Sequence, residues 1–310
     1  MIAPPRHYRL FDLTLASDPD LPELSVAPAT ATPDVTIRFV DDLPPAPPGV
    51  HDRPGGLLLA VEGVARFAIS GGTDIAIHPD SDVPARNLRL FLLGSAMGLL
   101  ALQRGLLPLH ANAVTIDGHA VGFMGPPGAG KSTLAAWCAD RGLAILADDA
   151  CAVRFDPDGR ALALPGVPRL RLWRDAMTAF ARDPADHFAS FIGADAPDKF
   201  DITLASAAVA RTPLPLAALY LLDDTALPGI TPLTGADAFA AISANTYRGG
   251  FVAKAGQGEA HWNSAVAIAR AVPVFAVGRR RGWDHYNVEA TRLTDHARAI
   301  IARNSPVPSA

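Results

Sequence analysis

The sequence predicts an α/β chain, with a small β-rich domain over residues 1–84, a larger domain over 85–304 in which helices and strands alternate, and a tail at 305–310. Three observations carry this. Up to about residue 80 the chain is a series of short runs of strand formers, "HYRLFDLTL", "VTIRFV", "GGLLLAV", "VARFAIS" and "TDIAIHP", divided by turn material such as Glu62-Gly63 and Gly71-Gly72. After Pro84 the apolar spacing turns helical and then switches back and forth. With 49% hydrophobic and 19% charged residues among 310, there is ample material for a buried core.

The first region reads as a small antiparallel domain, or as a sheet packed on the larger domain. Next, "ARNLRLFLLGSAMGLLALQRG" has helical length and period, with Asn87 as a candidate cap and Gly105 as its stop. Its charge-free part, Leu90 to Leu102, is too short to span a bilayer, and Gly94 and Gly98 permit close packing. "LPLHANAVTI" reads as a strand, Asp117-Gly118 as a hairpin turn, "HAVGFMG" as the next strand, and "KSTLAAWCADRG" as a helix stopped by Gly142. "LAILADD" is a strand expected beside "HAVGFMG", and "ACAVRF" with "ALAL" forms a hairpin across "DPDG". Further on, "LAALYLLDD" and "VPVFAVG" are strands, while "GADAFAAISANTY", "EAHWNSAVAIARA" and "VEATRLTDHARAIIAR" are helices.

A net charge of −4 and a pI near 6.1 argue against a dedicated nucleic-acid binder. The one tight basic cluster, Arg279-Arg280-Arg281, reads as a solvated loop or a local phosphate contact. Cys138 and Cys151 build neither a disulfide framework nor a metal cluster. The opening residues lack a signal-peptide layout, so the expectation is a cytoplasmic protein with no membrane or nucleic-acid partner and an open oligomeric state.

Gly125-Pro126-Pro127-Gly128-Ala129-Gly130-Lys131-Ser132 matches the phosphate-loop pattern in full, between a predicted strand and a predicted helix. Glycines let a backbone approach closely, and N–H groups gathered at a helix N-terminus suit di- and triphosphate charge. Lys131 is expected on the β- and γ-phosphates, the Ser132 hydroxyl on Mg²⁺, and Thr133 beside them in the nucleotide site. Only three lysines occur in the chain (Lys131, Lys199 and Lys254), so one at the position the pattern demands is informative.

Beyond that helix, "LAILADD" ends in Asp148-Asp149. Two carboxylates beside such a loop suggest divided labour, one toward the metal and the other toward the proton of an acceptor hydroxyl. Asp223-Asp224, after "LYLL", reads as an ordinary strand-end turn. His110 reaches the same pocket if its strand neighbours the loop strand.

Together, "LHANAV", "GPPGAGKST" and "RGLAILADDACAV" resemble the catalytic domain of the HPr kinase/phosphorylase family, a phosphate-loop fold related to phosphoenolpyruvate carboxykinase, over roughly residues 105–155. The opening "HYRLFDLTLASDPDLPEL" and the helix before His110 look more like HPr-kinase-related proteins of bacterial biosynthetic clusters, among them kinases of the C-terminal serine of lasso-peptide precursors. The resemblance implies that Asp148 is the general base toward a serine hydroxyl, that Asp149 supports Mg²⁺ and the phosphates, and that His110 lines the site. Two family features are missing. "GVPRLRLWRD" offers Arg169 and Arg171 where a Glu-x-Arg-Gly segment would fall, and no Pro-Arg-Gly-Asn loop is visible. These departures point away from the reverse reaction, from HPr as acceptor and from the parent hexamer.

The expected function is a Mg²⁺- and ATP-dependent kinase acting on a serine of a peptide or protein, with Arg169 or Arg171 adding positive charge to the transferring group. The alternatives are a small-molecule hydroxyl kinase on the same fold and a non-catalytic ATP sensor. Lys199, in "APDKFDI", is either a phosphate or acceptor contact or an exposed loop lysine. The first strands suit recognition of a peptide by edge addition.

Overall fold

The computed structural model describes residues 5–193, 198–223 and 227–304. Asp224 of the second aspartate pair and the tail at 305–310 lie outside the described residues. The fold is mixed α/β.

Eight strands, from Arg6–Leu10 to Asp74–Pro79, form the first sheet. It is antiparallel, as expected, except at Val35–Phe39, which runs parallel to both of its neighbours, Leu13–Ser17 and Asp74–Pro79. Parallel neighbours need long crossovers, and the turn-rich stretch between Ser17 and Val35 supplies one.

The apolar helix spans Ala85–Gln103 and contains a π-helical turn at Leu92–Ala96. Pro84, with φ −60°, starts it. Asn87 is not its cap: it lies within the first turn, and its side chain exchanges hydrogen bonds of 2.8 and 2.9 Å with the backbone of Ile192. This helix is long and apolar enough to cross a membrane by length and composition only, and 67% of its apolar 18-residue stretch is buried inside the protein. Leu92, Ala96, Met97, Leu99 and Leu100 share one core with Phe67, Ile69 and Ile75 of the first sheet. The helix beyond the expected boundary at residue 84 therefore packs on the strands before it.

The second sheet has nine strands. At its centre, His119–Met124 lies between Ala111–Ile116, antiparallel, and Leu214–Leu222, parallel. Val274–Gly278 runs parallel on the far side of Leu214–Leu222. Ile145–Ala147 pairs with Ala111–Ile116, so "LAILADD" sits one strand further out than expected; the Asp117-Gly118 hairpin already fills the place beside the loop strand. Side chains alternate across this sheet. Val121 and Phe123 face Lys131–Ala139 and Trp283–Asn304, while Ala120 and Met124 face Gly235–Ala244 and Gly258–Ala271. A three-stranded sheet, with Lys199–Thr203 between Arg169–Trp173 and Phe188–Ala189, covers one end of the first of these layers.

Candidate active site

Met124 ends a buried strand, and the chain then turns through Gly125–Gly130 into the helix Lys131–Ala139. Gly125 has φ +145°, and a Cβ there would lie 2.8 Å from the Leu222 carbonyl oxygen; Gly130, the residue before the helix, has φ +83°. Both positions need glycine. Asn245 pins the loop from behind, its Oδ1 accepting the Gly125 N–H at 2.9 Å. Lys131 folds back into the loop and donates to the carbonyls of Gly125 (2.7 Å) and Pro126 (3.3 Å). Burial pushes its ammonium below the ordinary value, in spite of Asp149 and Asp148 nearby.

The two aspartates part company at the end of their strand. Asp148 points inward, where its Oδ1 accepts from the Asn112 amide and from Ser132 Oγ (3.1 Å), and its Oδ2 from the Arg171 N–H (3.0 Å). It is 5% exposed, and burial raises its pKa against the pull of Arg171. Asp149 adopts φ +69°, a left-handed conformation that aspartate tolerates better than most residues. Its carboxylate meets the Arg171 guanidinium, His110 Nε2 at 3.5 Å and the Tyr247 hydroxyl at 3.3 Å. Burial alone would raise Asp149; Arg171, with help from His110, outweighs it and holds the carboxyl well below the usual range. The resemblance placed Asp148 toward the acceptor and Asp149 toward the metal. In the structure Asp148 backs Ser132, and Asp149 lines the open cavity.

His110 sits where the strand expected over "LPLHANAVTI" breaks in two. Leu107–Leu109 pairs with Cys151–Phe155, Ala111–Ile116 pairs with the loop strand, and His110 lies between them. The segment Asn245–Tyr247 locks this break, accepting the His110 N–H on the Asn245 carbonyl (2.6 Å) and donating the Tyr247 N–H to Pro108 (2.8 Å). Tyr247 is itself wedged against the long helix, where a Cβ on Gly94 or on Gly98 would lie 3.0 Å from its side chain.

A cavity of about 670 Å³ unites the loop with these groups; His110, Lys131, Ser132, Asp149, Arg171 and Lys199 all line it. Gly128, Gly130 and Thr133 continue its floor. Lys199 is no loop residue: it opens the strand Lys199–Thr203 and stands near the Trp173 ring, 5.7 Å from its centroid. Burial and Arg171 lower its pKa. Arg169, the other candidate arginine, is committed elsewhere, to Asp201 at 3.4 Å. Asn112, Asn245 and Tyr247 were not foreseen from the sequence; Asn112 lay inside the quoted "HANAV", two residues after His110 and so on the same side of an extended chain.

No family model matches the chain. No curated protein matches it either. Among solved structures, the Hpr(Ser) kinase/phosphatase from Coxiella burnetii superposes with a TM-score of 0.34 at 16% identity, covering 64% of this chain and 94% of that one. A superposition that loose says nothing about chemistry, which has to be read from the residues.

Two polar atoms around the cavity are buried with no partner among the described residues, Asn112 Oδ1 and Arg171 Nε. The Ser132 hydroxyl donates to Asp148 and accepts from the Asn112 amide at 3.4 Å, which leaves one lone pair for a cation. One hydroxyl oxygen with a carboxylate behind it fits Mg²⁺, which takes few protein ligands and completes its shell with water and phosphate. Lys131 and the unused Arg171 donor suit the phosphates.

Proposed function

We propose that the chain is a kinase that transfers the γ-phosphate of ATP to a serine hydroxyl of a peptide or protein. The observation that carries this reading is the parting of the aspartate pair, Asp148 buried behind Ser132 and Asp149 in the cavity beside His110. An ATP sensor has no use for a second carboxylate in the same cavity as the loop, and that counts against it.

Lys131 exchanges its loop carbonyls for phosphate oxygens, and Arg171 faces the transferring group from the other wall. Bound Mg²⁺ supplies neutralisation of charge on the β- and γ-oxygens. Asp148 accepts a hydrogen bond from the Ser132 hydroxyl and so fixes its orientation. Asp149, kept ionised by Arg171, receives the acceptor proton. A weak base suffices, because a loose phosphoryl-transfer state asks for little proton removal before the bond to phosphorus forms. His110 and Tyr247 hold Asp149 in place from two sides.

The test is transfer of γ-labelled phosphate from Mg²⁺-ATP to peptides with internal and C-terminal serines, a lasso-precursor sequence among them, for the wild type beside Asp149→Asn. Loss of about 10²–10⁴-fold in transfer, with ADP affinity kept, is expected for the variant. Turnover retained in Asp149→Asn would remove Asp149 as the base. Label found on a metabolite and never on polypeptide would select the small-molecule reading.

A further inference from the structure

A second cavity, of about 230 Å³, lies on the other flank of the glycine loop and shares Gly128, Gly130, Thr133 and Asp175 with the first. Its walls differ in kind. Leu134 and Ala290 are apolar, Trp283 and Tyr286 present aromatic rings, and the Arg279–Arg281 turn forms its rim. That turn follows Val274–Gly278, which is parallel to Leu214–Leu222, itself parallel to the loop strand. Glycine loop and arginine turn thus leave the carboxyl ends of strands in one parallel set, the crevice where open α/β sheets take ligands. Arg279 ties the two together by donating Nη2 to the Ala129 carbonyl.

A nucleotide whose phosphates fill the loop must send its base and ribose out on one flank or the other. The flank with His110, Asp149, Arg171 and Lys199 is ionic and is the one the acceptor needs. Each flank has an exposed indole, but Trp173 on the ionic side carries the Lys199 ammonium 5.7 Å from its centroid, whereas Trp283 packs edge-on against Phe180 (6.1 Å) and tilted against Tyr286 (5.4 Å) and remains 46% exposed. An indole held by its neighbours but open on one side is a stacking platform for a flat heterocycle.

We propose that this cavity is the nucleoside subsite, with the base stacked on Trp283 and the ribose beside the Arg279–Arg281 turn. The proposal rests on the phosphate-loop reading and adds to it which wall recognises the rest of the nucleotide.

Calorimetric titration of the full chain with ADP, and separately with inorganic tripolyphosphate, separates the two. Tripolyphosphate carries the charge without the base. Trp283→Ala is expected to weaken ADP about tenfold or more while leaving tripolyphosphate unchanged, and Trp283→Phe to retain most of the ADP affinity. Equal ADP affinity in wild type and Trp283→Ala would overturn the subsite and leave the loop reading standing. A wild type that binds neither compound would overturn both. Trp283 is half exposed at the start of its helix, so its replacement leaves the core intact.

Discussion

Asp149 is placed by a single dihedral. At φ +69° the chain reverses just after the strand, the Ala150 N–H returns to the Asp148 carbonyl at 2.8 Å, and two adjacent carboxylates face different surroundings. The division of labour proposed for them makes a prediction that separates metal handling from proton transfer. Asp148→Asn keeps the shape that holds Ser132 but removes the charge behind it. The Mg²⁺ concentration for half-maximal turnover is expected to rise about tenfold or more, with turnover largely restored at saturating Mg²⁺. A metal titration of initial rates checks this; a rate loss that no Mg²⁺ concentration repairs would return Asp148 to the role of base. Much of this corner was legible beforehand. Lys131, Ser132, both aspartates and His110 belong to patterns with fixed residue types. Arg169 and Arg171 were not separable, since residues two apart share a face of a strand, and only the fold brings Asp201 to one of them. Asn245 and Tyr247 lie far along the chain in an unremarkable helix end, and neither residue type announces a role.

The helix Ala85–Gln103 shows what elements add to residues. Its existence and length were readable from apolar spacing, but its start was misread, because asparagine is a good cap wherever it precedes a helix and nothing local shows that Asn87 is held by Ile192 instead. The purpose of Gly94 and Gly98 was equally hidden. They leave room for the Tyr247 ring, whose hydroxyl reaches Asp149 and whose pKa burial and that carboxylate push up to about 12. Gly98→Ala sets a methyl carbon 3.0 Å from the ring. The expected result is a several-fold drop in turnover with unchanged ADP affinity and a stability loss of about 1–3 kcal/mol. Steady-state kinetics beside thermal melts check it, and Tyr247→Phe should reproduce the kinetic effect with a smaller loss of stability.

For the whole molecule, the three sheets and their helices meet in large shared cores, and polar side chains bolt the layers together. One such bolt is Tyr220, on the central strand of the second sheet, whose hydroxyl meets His296 Nδ1 at 2.8 Å on the last helix. Burial, aided by Arg303 and Arg292, lowers His296 below its ordinary 6.5. Its contribution to stability is therefore complete above about pH 6.5 and is lost as the pH falls through that value, when the unfolded chain takes up a proton that the folded one resists. His261, lowered by burial on the opposite face of the sheet, adds in the same direction. Melting temperatures followed from pH 8 to pH 5.5 should fall more steeply for the wild type than for His296→Gln; parallel curves would exclude His296 as a source of acid sensitivity. Alternation of strands and helices was visible along the sequence. Which strand lay beside which was not, because pairing partners are chosen by crossovers that leave no local mark, as with Val35–Phe39 between two parallel neighbours.

The long helix is read on two sides at once, by the leucines that face the first sheet and by the glycines that face Tyr247. Its π-helical turn takes up one residue more than an α-helical turn would. Hairpin turns in the first sheet are free to lengthen, but the residue count between Pro84 and Gly98 is not. A lineage that gained or lost one residue there would swing the glycines by about 100° around the axis, and a single-codon indel far from the glycine loop would disarm the carboxylate as surely as changing it.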